Sequence, residues 1–348
     1  MHNFYDYSFE KLQKLMEEYG QKKFRAQQLY TWVYEKKVRD FSLMSDISAK
    51  FIEVLKSDFS LSLPKIAVKQ VAHDGTIKLL LELEDGAKVE TVLMRYEYGN
   101  AVCVSSQVGC NMGCSFCASG LLKKQRNLTP SEMVGQVLVI QDQLEEGARV
   151  SHVVVMGTGE PFDNYDNVMD FIRIINHPHS LAIGARHITV STCGLVDKIR
   201  QYADENLQIN LAISLHAPND EIRNKIMLIN KAYPLEVLMD AIRYYESKTS
   251  RRVTFEYIML KGVNDSDLCA KQLASLLKGI NSYVNLIPYN AVDEHLYKRS
   301  NRQDIENFAN KLKKLGVNAT IRKEFGTDID AACGQLRAKN MKVLNKGD

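Results

Sequence analysis

Three cysteines close together are the first residues of this sequence that could carry chemistry. Cys110, Cys114 and Cys117 stand in the string CNMGCSFC, with the spacing Cys-x3-Cys-x2-Cys. Soft thiolates at this spacing suit an iron–sulfur cluster or a zinc ion. If the cluster holds four irons, three cysteines leave one iron open to a substrate or cofactor. The cysteine loop, residues 110–117, therefore favours an iron–sulfur site.

Other interpretations of the cysteine loop stay open at this point. Structural zinc normally takes four protein ligands. The loop contains no fourth Cys or His, although Cys103 or His152 could complete a zinc site in the folded chain. A redox pair formed by Cys114 and Cys117 would leave Cys110 unused. Cysteines also occur as buried packing residues that bind nothing.

Polar side chains at the ends of predicted strands form a second group of candidates. The string GTGEP, residues 157–161, follows one strand. Its glycines would let the backbone approach a bound group, and Glu160 offers a carboxylate to an amine or hydroxyl. The string lacks the third glycine of a dinucleotide-binding fingerprint. Because ligands of parallel α/β folds bind at the carboxyl ends of strands, we predict one rim shared with the cysteine loop. Its other members are Ser191, Thr192, Ser214, His216 and Asn290.

Two single cysteines outside the loop also deserve consideration. Cys103 falls within a predicted strand, and Cys333 lies beside Gly334 in the C-terminal tail. A lone cysteine is more often a small core residue than a nucleophile. The position of Cys333, outside any predicted strand and next to a glycine, favours exposure. We assign the remaining Cys193 and Cys269 to packing.

The elements before residue 100 are predicted to be helices followed by a small antiparallel β-meander. Apolar residues recur at helical spacing up to about residue 60, for example at Leu12, Leu15 and Met16. Three runs rich in β-forming residues follow, separated by Asp-Gly pairs that favour tight hairpin turns. The predicted strands are Ile66–Val71, Thr76–Leu83 and Lys88–Tyr96.

From about residue 100 the pattern changes to alternating strands and helices. This alternation predicts an α/β fold with a parallel sheet and right-handed crossovers. Six strand–helix units are fewer than the eight of a closed barrel, so we expect a partial, open (β/α)6 barrel. A capping box predicts one helix start at Thr129, and others are expected near Pro234 and Ser266. The strands are Ala101–Ser106, His152–Met156, His187–Thr192, Ile209–Leu215, Val253–Met259, Tyr283–Pro288 and a late one, Asn318–Lys323.

The predicted organisation is therefore an α/β protein in three parts. They are an N-terminal helical accessory domain over residues 1–62, a small antiparallel β-meander linker over 63–98, and the partial barrel with its C-terminal tail over 99–343. The chain has 348 residues, of which 45% are hydrophobic and 25% are charged. These values suit a globular protein with one large domain and an accessory one.

Bulk properties point to the cytoplasm. The start of the sequence lacks the basic and apolar regions of a signal peptide, and no apolar run approaches the length that crosses a bilayer. Seven cysteines are an odd number, and three of them lie in one loop, which argues against a disulfide framework. We expect a cytoplasmic protein with reduced thiols and no contact with a membrane.

Basic stretches favour a nucleic-acid partner. The net charge is only +3, so nucleic-acid binding must come from local patches. Residues 22–39 combine six basic residues with Phe24, Tyr30, Trp32 and Tyr34, and further basic residues follow the cysteine loop and occupy the tail. Basic side chains suit phosphates, and aromatic rings suit stacked bases. Each patch alone fits a solvated helix face equally well, but three patches around one proposed active face favour RNA or DNA.

Five longer strings resemble one known family. They are VSSQVGC (104–110), GTGEP (157–161), ISLH (213–216), VNLIP (284–288) and DAACGQL (330–336). The Cys-x3-Cys-x2-Cys spacing is itself the signature of radical S-adenosylmethionine (SAM) enzymes. Together these strings resemble the RlmN family, adenine-C2 methyltransferases that act on 23S ribosomal RNA and, in some members, also on transfer RNA. The resemblance covers nearly the whole chain.

The resemblance implies a radical-SAM partial barrel with a defined cofactor site. Cys110, Cys114 and Cys117 would ligate a 4Fe–4S cluster, whose open iron would bind SAM, with two SAM molecules used per turnover. The implied partners are 23S rRNA, in some members tRNA, and a flavodoxin- or ferredoxin-type reductant. The SAM pocket would be lined by Gly159, Glu160, Ser191, Ser214, Leu215, His216 and Asn290.

The resemblance also implies roles for three residues outside the loop and the rim. Cys333 would take a methyl group from one SAM, and a radical from the second would abstract hydrogen from that methyl group. The carbon radical would add to the adenine ring, Cys103 would attack Cys333 to release the product, and Glu90 would accept a proton. Adenine C2 is not nucleophilic, so a covalent radical route replaces an ordinary methyl transfer that should fail there. The base must also be reached outside its stack, which gives the N-terminal part a purpose.

Two alternative functions remain at this stage. The sister family of adenine-C8 rRNA methyltransferases, the Cfr type, shares most of these strings. Pro161 and Pro288 resemble the C2 family, whereas Phe325 before Gly326 resembles the C8 group. The other alternative is a non-catalytic RNA-binding protein that contains a metal.

Overall fold

The structure is a computed structural model that describes residues 1–291, residues 295–329 and Leu336. Cys333, the predicted methyl carrier, therefore lies outside the described residues. Among the helices that are described, none is both long enough and apolar enough to cross a membrane.

Three helices form the N-terminal part of the chain, as predicted from the sequence. They are α1 (Phe9–Glu18), α2 (Phe24–Tyr30), which runs into a π-helical turn at Thr31–Glu35, and α3 (Ala49–Asp58). Their spacing of apolar residues buries one face of each helix, and Leu12 and Met16 of α1 are fully buried. Two short parallel strands close this part, β1 (His2–Asn3) and β2 (Phe59–Ser60).

After the N-terminal part, one sheet contains ten strands of the residues that the structure describes. Two further strands between its members, β7 (Gln107–Val108) and β8 (Arg126–Asn127), form a separate antiparallel ribbon. The ten strands are β3 (Lys65–Val71), β4 (Ile77–Glu82), β5 (Lys88–Tyr96), β6 (Gly99–Cys103), β9 (Val150–Val155), β10 (Ile188–Thr192), β11 (Asn210–Ser214), β12 (Val253–Met259), β13 (Ser282–Pro288) and β14 (Ala319–Ile321).

The parallel part of the sheet is an open barrel. Strand β6 pairs in parallel with β9, and each strand from β9 to β13 pairs in parallel with the strand that follows it. Neighbours in chain order are typical of barrels, whereas a doubly wound sheet reverses its order at a switch point. The sheet has two ends, β3 and β14, so it stays open in the part of the chain that is described. The predicted partial barrel is confirmed.

The meander belongs to the same sheet as the barrel. Strands β3, β4 and β5 pair antiparallel, and β5 also pairs antiparallel with β6. Both predicted Asp-Gly turns are present. Their glycines, Gly75 and Gly86, each have a φ of +80°, in the left-handed region that favours glycine. The sequence predicted the meander but not its continuity with the barrel sheet. The division of the chain at residues 62 and 98 stays a prediction.

Seven helices accompany the parallel strands in the described part of the chain. Helix α4 has the predicted capping box, in which the Glu132 N–H donates to Thr129 Oγ1 at 3.3 Å and the Thr129 N–H donates to Glu132 Oε2 at 2.9 Å. The helices are α4 (Pro130–Gln141), α5 (Tyr165–Asn176), α6 (Val196–Ala203), α7 (Asp220–Ile226), α8 (Leu235–Thr249), α9 (Asp267–Leu276) and α10 (Arg302–Lys314).

The two faces of the meander have different neighbours. One face joins the main hydrophobic core, and its residues on β4 and β5 are Leu79, Leu81, Val89 and Leu93. The opposite face carries a separate apolar cluster made by Val92, Met94, Ala101 and Cys103. We call this opposite face the inner face. Because directly paired residues point to the same side of a sheet, Lys78, which pairs with Val92, also belongs to the inner face.

Candidate active site

The cysteine loop is an excursion whose two ends are tied together. It leaves the end of β7 and returns into β8, where Val108 pairs with Arg126. The Gln125 N–H donates to Val108 O at 2.7 Å, and the Cys110 N–H donates to Leu122 O at 3.0 Å. These backbone bonds fix the base of the loop before any ligand binds.

Gly109 is required at the start of the loop. Its φ of +83° lies in the left-handed region that favours glycine. A Cβ atom at this position would lie 2.2 Å from the backbone oxygen of Lys123 and 2.7 Å from that of Leu122. A side chain here would therefore force the base of the loop open.

The middle of the loop packs on the barrel. The Ser115 N–H donates to Ile226 O at 3.0 Å, and the Ser115 hydroxyl lies 2.8 Å from the Tyr297 hydroxyl. Phe116 is buried and meets the ring of His216 edge to face, with 4.9 Å between the ring centroids. The structure thereby brings the cysteine loop beside His216, one of the predicted rim residues.

The three loop cysteines are half-buried thiols. Burial raises the pKa of Cys110 to about 11, and it raises the pKa of Cys114 still further. No three His, Cys, Asp or Glu side chains stand ready in a metal-ligating arrangement within the described ranges. The thiols would therefore lose their protons and converge as iron binds. Three soft sulfur donors suit a cluster with an open iron better than structural zinc, which takes four ligands.

Glu160 ties together the ends of two parallel strands. Its Oε1 accepts the Phe162 N–H at 3.0 Å, and its Oε2 accepts the Cys193 N–H, just beyond β10, at 2.8 Å. Its own N–H donates to Gln107 Oε1 at 2.9 Å. Burial raises the pKa of Glu160. Side-chain hydrogen bonds from Thr192 and Cys193 also reach this carboxylate. Because a carboxylate has about four acceptor positions, a ligand amine would have to share it with these protein groups.

The glycines before Glu160 serve close packing of the chain itself. A Cβ on Gly157 would lie 2.7 Å from Ser105 Oγ, and a Cβ on Gly159 would lie 2.7 Å from the Cβ of Gln107. Gly159 also has a φ of +115°. The space beside both glycines is therefore filled by residues 105–107. The approach of the Gly159 backbone to a bound group stays a prediction.

His216 is a neutral, fixed side chain. Its Nδ1 accepts the Ile258 N–H at 3.1 Å, and its carbonyl accepts the Asn264 amide at 2.7 Å. Burial lowers the pKa of His216 to about 3, so the ring is neutral at physiological pH. Because Nδ1 is an acceptor, the hydrogen-bond network assigns the ring proton to Nε2. His216 has a φ of +58°, which turns the chain sharply after β11.

The remaining rim residues differ in exposure. The hydroxyls of Ser191 and Ser214, on the adjacent strands β10 and β11, lie 3.4 Å apart. Leu215 is fully buried, and its N–H donates to Glu256 O at 3.1 Å. Asn290 follows β13 and is exposed. The structure thus gathers Ser191, Ser214 and Leu215 on neighbouring strand ends, and the SAM-binding role of all these residues stays a prediction.

Arg223 is a rim residue that the sequence analysis missed. It is fully buried on α7, and its guanidinium donates to the carbonyls of Cys193, Ser214 and Leu215 at 2.7, 3.2 and 3.1 Å. A fourth bond, of 2.9 Å, goes to Asn230 Oδ1. One cation therefore holds the ends of β10 and β11 together. The charged string around it is typical of an exposed helix face, so the sequence contains no signal of this burial.

Two of the predicted catalytic residues lie on the inner face. Cys103 is buried and pairs in register with Val92. Glu90 is also buried, and its Oε2 lies 2.9 Å from the Nζ of Lys78. Lys78 was not predicted as a site residue, although a single lysine within the apolar run of β4 was a usable signal. Phe325 packs against the apolar cluster that contains Cys103.

The segment that leads to Cys333 is anchored on the meander. The Gly326 N–H donates to Asp74 Oδ2 at 2.9 Å, and the His73 N–H donates to Asp328 Oδ2 at 3.1 Å. Cys333 follows this segment in the sequence but falls outside the described residues, so its role stays a prediction.

The N-terminal basic stretch keeps only part of its aromatic surface free. Tyr30 and Tyr34 are buried in the core, whereas Phe24 is 52% exposed. Trp32 is half-buried, and the Nζ of Lys36 lies 3.4 Å from its ring centroid. Two of the four aromatic residues in this stretch are therefore unavailable to stacked bases.

Two of the three basic residues after the cysteine loop, Lys124 and Arg126, are engaged in local structure. Lys124 forms an ion pair of 2.7 Å with Asp163. Arg126 pairs with both Asp85 and Glu132, each at 2.7 Å. These contacts tie the base of the loop to the meander and to α4. Nucleic-acid binding by this second patch therefore has less support than the sequence suggested.

Comparisons with known proteins agree with this architecture. The family model of the radical SAM superfamily matches residues 104–270, the part that contains the cysteine loop and most of the parallel strands. The model described as "Ribosomal RNA large subunit methyltransferase N-terminal domain" matches residues 2–61.

Relatives of high identity extend over nearly the full chain. A protein of Listeria welshimeri named "Probable dual-specificity RNA methyltransferase RlmN" is 57% identical over 344 residues, which cover 97% of this chain and 94% of the relative. A protein of Enterococcus faecalis with the same name is 60% identical over 330 residues, covering 93% and 92%. The crystal structure of a radical SAM methyltransferase from Sphaerobacter thermophilus matches with a TM-score of 0.91 at 41% identity, over 96% of this chain and 99% of that one. The chain therefore belongs to the RlmN family of RNA methyltransferases, within the radical SAM superfamily.

Proposed function

We propose that this chain methylates C2 of adenine in 23S ribosomal RNA and in transfer RNA, through a methylated Cys333. The relatives are named dual-specificity RNA methyltransferases, which supports two kinds of RNA substrate. The description of the N-terminal family model supports large-subunit ribosomal RNA as one of them. The choice of adenine C2 draws on the sequence strings that contain Pro161 and Pro288.

Membership of the radical SAM superfamily implies a 4Fe–4S cluster and SAM. When bound, these groups supply a methyl group and a carbon-centred radical, and we propose two SAM molecules per turnover. Cys110, Cys114 and Cys117 would hold the cluster. The chain would bind SAM through Gly159, Glu160, Ser191, Ser214, Leu215, His216 and Asn290.

The observation that carries the proposal is the common location of the other catalytic candidates. Cys103 and Glu90 lie on the inner face of neighbouring strands, and the segment before Cys333 packs on the same face through Phe325. The Cys333 sulfur would carry the methyl carbon to the adenine. Cys103 would then form a disulfide with Cys333 while the bond between Cys333 and the transferred carbon breaks. Glu90 would accept the proton that leaves the ring.

The proposed function requires two kinds of partner, an RNA substrate and an electron donor. The exposed Phe24 and the Trp32–Lys36 pair offer a stacking surface and positive charge for RNA at the N-terminal part. The cluster needs an electron donor, for which we propose a flavodoxin- or ferredoxin-type protein. Such a protein, acting on ribosomal and transfer RNA, would work in the cytoplasm.

Substitution of Cys333 tests the covalent route. We expect Cys333→Ala to lose adenine methylation, as measured by nucleoside mass spectrometry of treated RNA, because the methyl carrier is gone. Its iron and sulfide content after anaerobic reconstitution should equal that of the wild type. Cys269→Ala is the matched control, since Cys269 of α9 packs in the main hydrophobic core and its substitution should leave methylation intact. Methylated adenine formed by the Cys333 variant would sink the proposal.

Methylation at adenine C8 is the second candidate. The observation that favours it is Phe325, whose ring meets Tyr96 edge to face, with 4.6 Å between the centroids, beside the cluster that contains Cys103. NMR of the isolated methylated nucleoside decides between them. Retention of the C8 proton and loss of the C2 proton supports our proposal, and the reverse result supports the second candidate.

A non-catalytic metal-containing RNA-binding protein predicts different behaviour from either enzyme. If the chain is an enzyme, the reconstituted and chemically reduced protein should cleave SAM reductively. The release of 5′-deoxyadenosine measures this cleavage. A protein that binds RNA and iron but yields no cleavage product under these conditions would contradict both methyltransferase assignments.

A further inference from the structure

A buried ion pair lies on the inner face beside the proposed catalytic residues. The Nζ of Lys78 lies 2.9 Å from Glu90 Oε2, and the two side chains are 0% and 4% exposed. Taking both charges out of water costs about as much free energy as the attraction between them returns. Apolar residues at these two positions could stabilise the fold as well as the pair does, so its presence calls for a functional reason.

The register of the sheet sets Lys78 in one row with Cys103, and Glu90 lies diagonally beside that row. Lys78 on β4 pairs in register with Val92 on β5, and Val92 pairs with Cys103 on β6. Glu90 is two residues before Val92, so Lys78 and Glu90 are diagonal neighbours on the same face. Glu90 is therefore on the strand next to the Cys103 thiol that would release the product, and Lys78 is on the strand beyond it.

The backbone at Glu90 is also fixed. Its carbonyl accepts the Ser105 hydroxyl at 2.7 Å. Ser105 is held in turn by Gln136 of α4, which accepts the Ser105 N–H at 2.8 Å and donates to the Ser105 carbonyl at 3.0 Å. Lys78 thus contacts a carboxylate whose main chain has little freedom, and the ammonium group lies where it can orient the end of the side chain.

We propose that Lys78 is a positioning residue that keeps Glu90 ionised and aimed on the inner face, ready to accept the proton from the adenine ring. This proposal rests on the proposed function. An isolated carboxyl in an apolar setting takes up a proton, and a protonated Glu90 could accept none. In the proton transfer, the ring C–H bond breaks, its electron pair stays on the ring, and the proton bonds to a Glu90 oxygen.

Other titratable groups share this face. Tyr96 lies on the same strand as Glu90, and Cys103, Glu256 and Arg322 are near enough to Tyr96 for their charges to act on its pKa. They come from β6, from β12 and from the chain just after β14. Lys78 is the group whose ammonium contacts the Glu90 carboxylate directly.

The test compares Lys78→Met with Glu90→Gln in the reconstituted full-length enzyme. Two reactions are measured: methyl uptake on Cys333, by intact mass spectrometry, and RNA methylation across pH. Methyl uptake should survive in Lys78→Met, because that step uses no ring proton. RNA methylation at neutral pH should fall about 100-fold, the lower end of what proton transfer contributes. The acid limb of the pH profile should move to higher pH, because Glu90 without its cation takes up a proton more readily.

Lys78→Gln separates charge from packing, since its amide can still donate a hydrogen bond to Glu90 without a charge. It should show the same shift of the acid limb, and it carries the test if the Met variant does not fold. Lys78→Arg, which keeps the charge, should restore much of the activity. A Gln variant with the wild-type acid limb overturns the role of Lys78. If Glu90→Gln itself methylates RNA normally, the failure lies in the proposed function and not in Lys78 alone.

Discussion

The carboxyl ends of the parallel strands and the inner face of the meander hold their side chains in different ways. At the strand ends, side chains bond to the backbone. Glu160 accepts two backbone N–H groups, His216 accepts one, and Arg223 donates to three carbonyls. The polar groups there are fixed by the path of the chain.

On the inner face, charged side chains bond to each other. Lys78 and Glu90 meet because the register of β4 and β5 makes them diagonal neighbours. The two regions should therefore be sensitive to different substitutions. The strand-end site should fail when the backbone is displaced, even by a small group, whereas the inner face should tolerate changes of shape and fail when a charge is removed.

The largest effect is expected at Gly109, where the cysteine loop beside the strand ends begins. Gly109→Ala would set a Cβ 2.2 Å from the backbone oxygen of Lys123. Because backbone on both sides must shift, the β7–β8 ribbon should open and the three cysteines should no longer converge. We expect iron and sulfide content after anaerobic reconstitution to fall below a tenth of the wild-type value, although the rest of the fold persists.

Gly147→Ala is a matched control for the Gly109 variant. Gly147 has a φ of +80°, close to the +83° of Gly109, but nothing lies within 4 Å of a Cβ there. It should cost about 1 to 2 kcal/mol for the left-handed backbone and leave cluster content unchanged. Equal cluster content in the two variants would mean that backbone displacement does not control the site.

The second effect concerns the buried cation of the strand ends. Arg223→Met leaves three strand-end carbonyls without their donor, and we expect the free energy of unfolding to fall by about 3 to 5 kcal/mol. SAM binding to the reconstituted protein should weaken as well, because the ends of β10 and β11 lose their common anchor. Urea unfolding and equilibrium dialysis measure the two effects. Arg243→Met, at an exposed arginine of α8, should change stability by less than about 1 kcal/mol.

An unchanged SAM affinity in an Arg223 variant that still folds would limit Arg223 to a structural role. Arg223→Lys sharpens the result, since it keeps a positive charge but cannot reach all of the carbonyls at once. If binding follows the number of hydrogen bonds, Lys should behave like Met; if it follows charge, Lys should behave like the wild type.

Local signals account for most of the fold that the sequence predicted. The capping box at Thr129, the Asp-Gly turns and the alternation of strands with helices all depend on residues a few positions apart. The continuity of the meander with the barrel depends on pairing of β5 with β6 and of β6 with β9, and the last of these spans about fifty residues. No local pattern encodes such a pairing.

The site shows the same division. The loop cysteines and Glu160 were visible because unusual residue types stand at unusual spacings. Arg223 was missed because charged residues are expected in water, and its burial is decided by partners that only the fold brings close. Lys78 was missed although its place in an apolar run was a signal of burial. Tyr30 and Tyr34 show the opposite error, since aromatic residues among lysines suggested a surface and the helix turned them into the core.

The smallest effect is expected where the two regions meet. Arg126, on β8 at the base of the cysteine loop, pairs with Asp85 in a meander turn and with Glu132 of α4. These side chains are partly exposed, with 49% of Asp85 open to solvent, so water screens the interaction. We expect Arg126→Met to lower the free energy of unfolding by about 1 kcal/mol at pH 7, as measured by urea unfolding.

The pH dependence of that loss identifies its source. The hydrogen bond from Arg126 holds the pKa of Asp85 below its ordinary value. Stabilisation by a carboxylate with a lowered pKa is present above the pKa of the unfolded chain and disappears as pH falls through the folded value. The difference between wild type and Arg126→Met should therefore shrink in acid, whereas Arg302→Met, at an arginine that is 92% exposed, should show little difference at either pH. A loss that stays constant into acid would mean that packing of the Arg126 stem, rather than its charge, joins the cysteine loop to the meander.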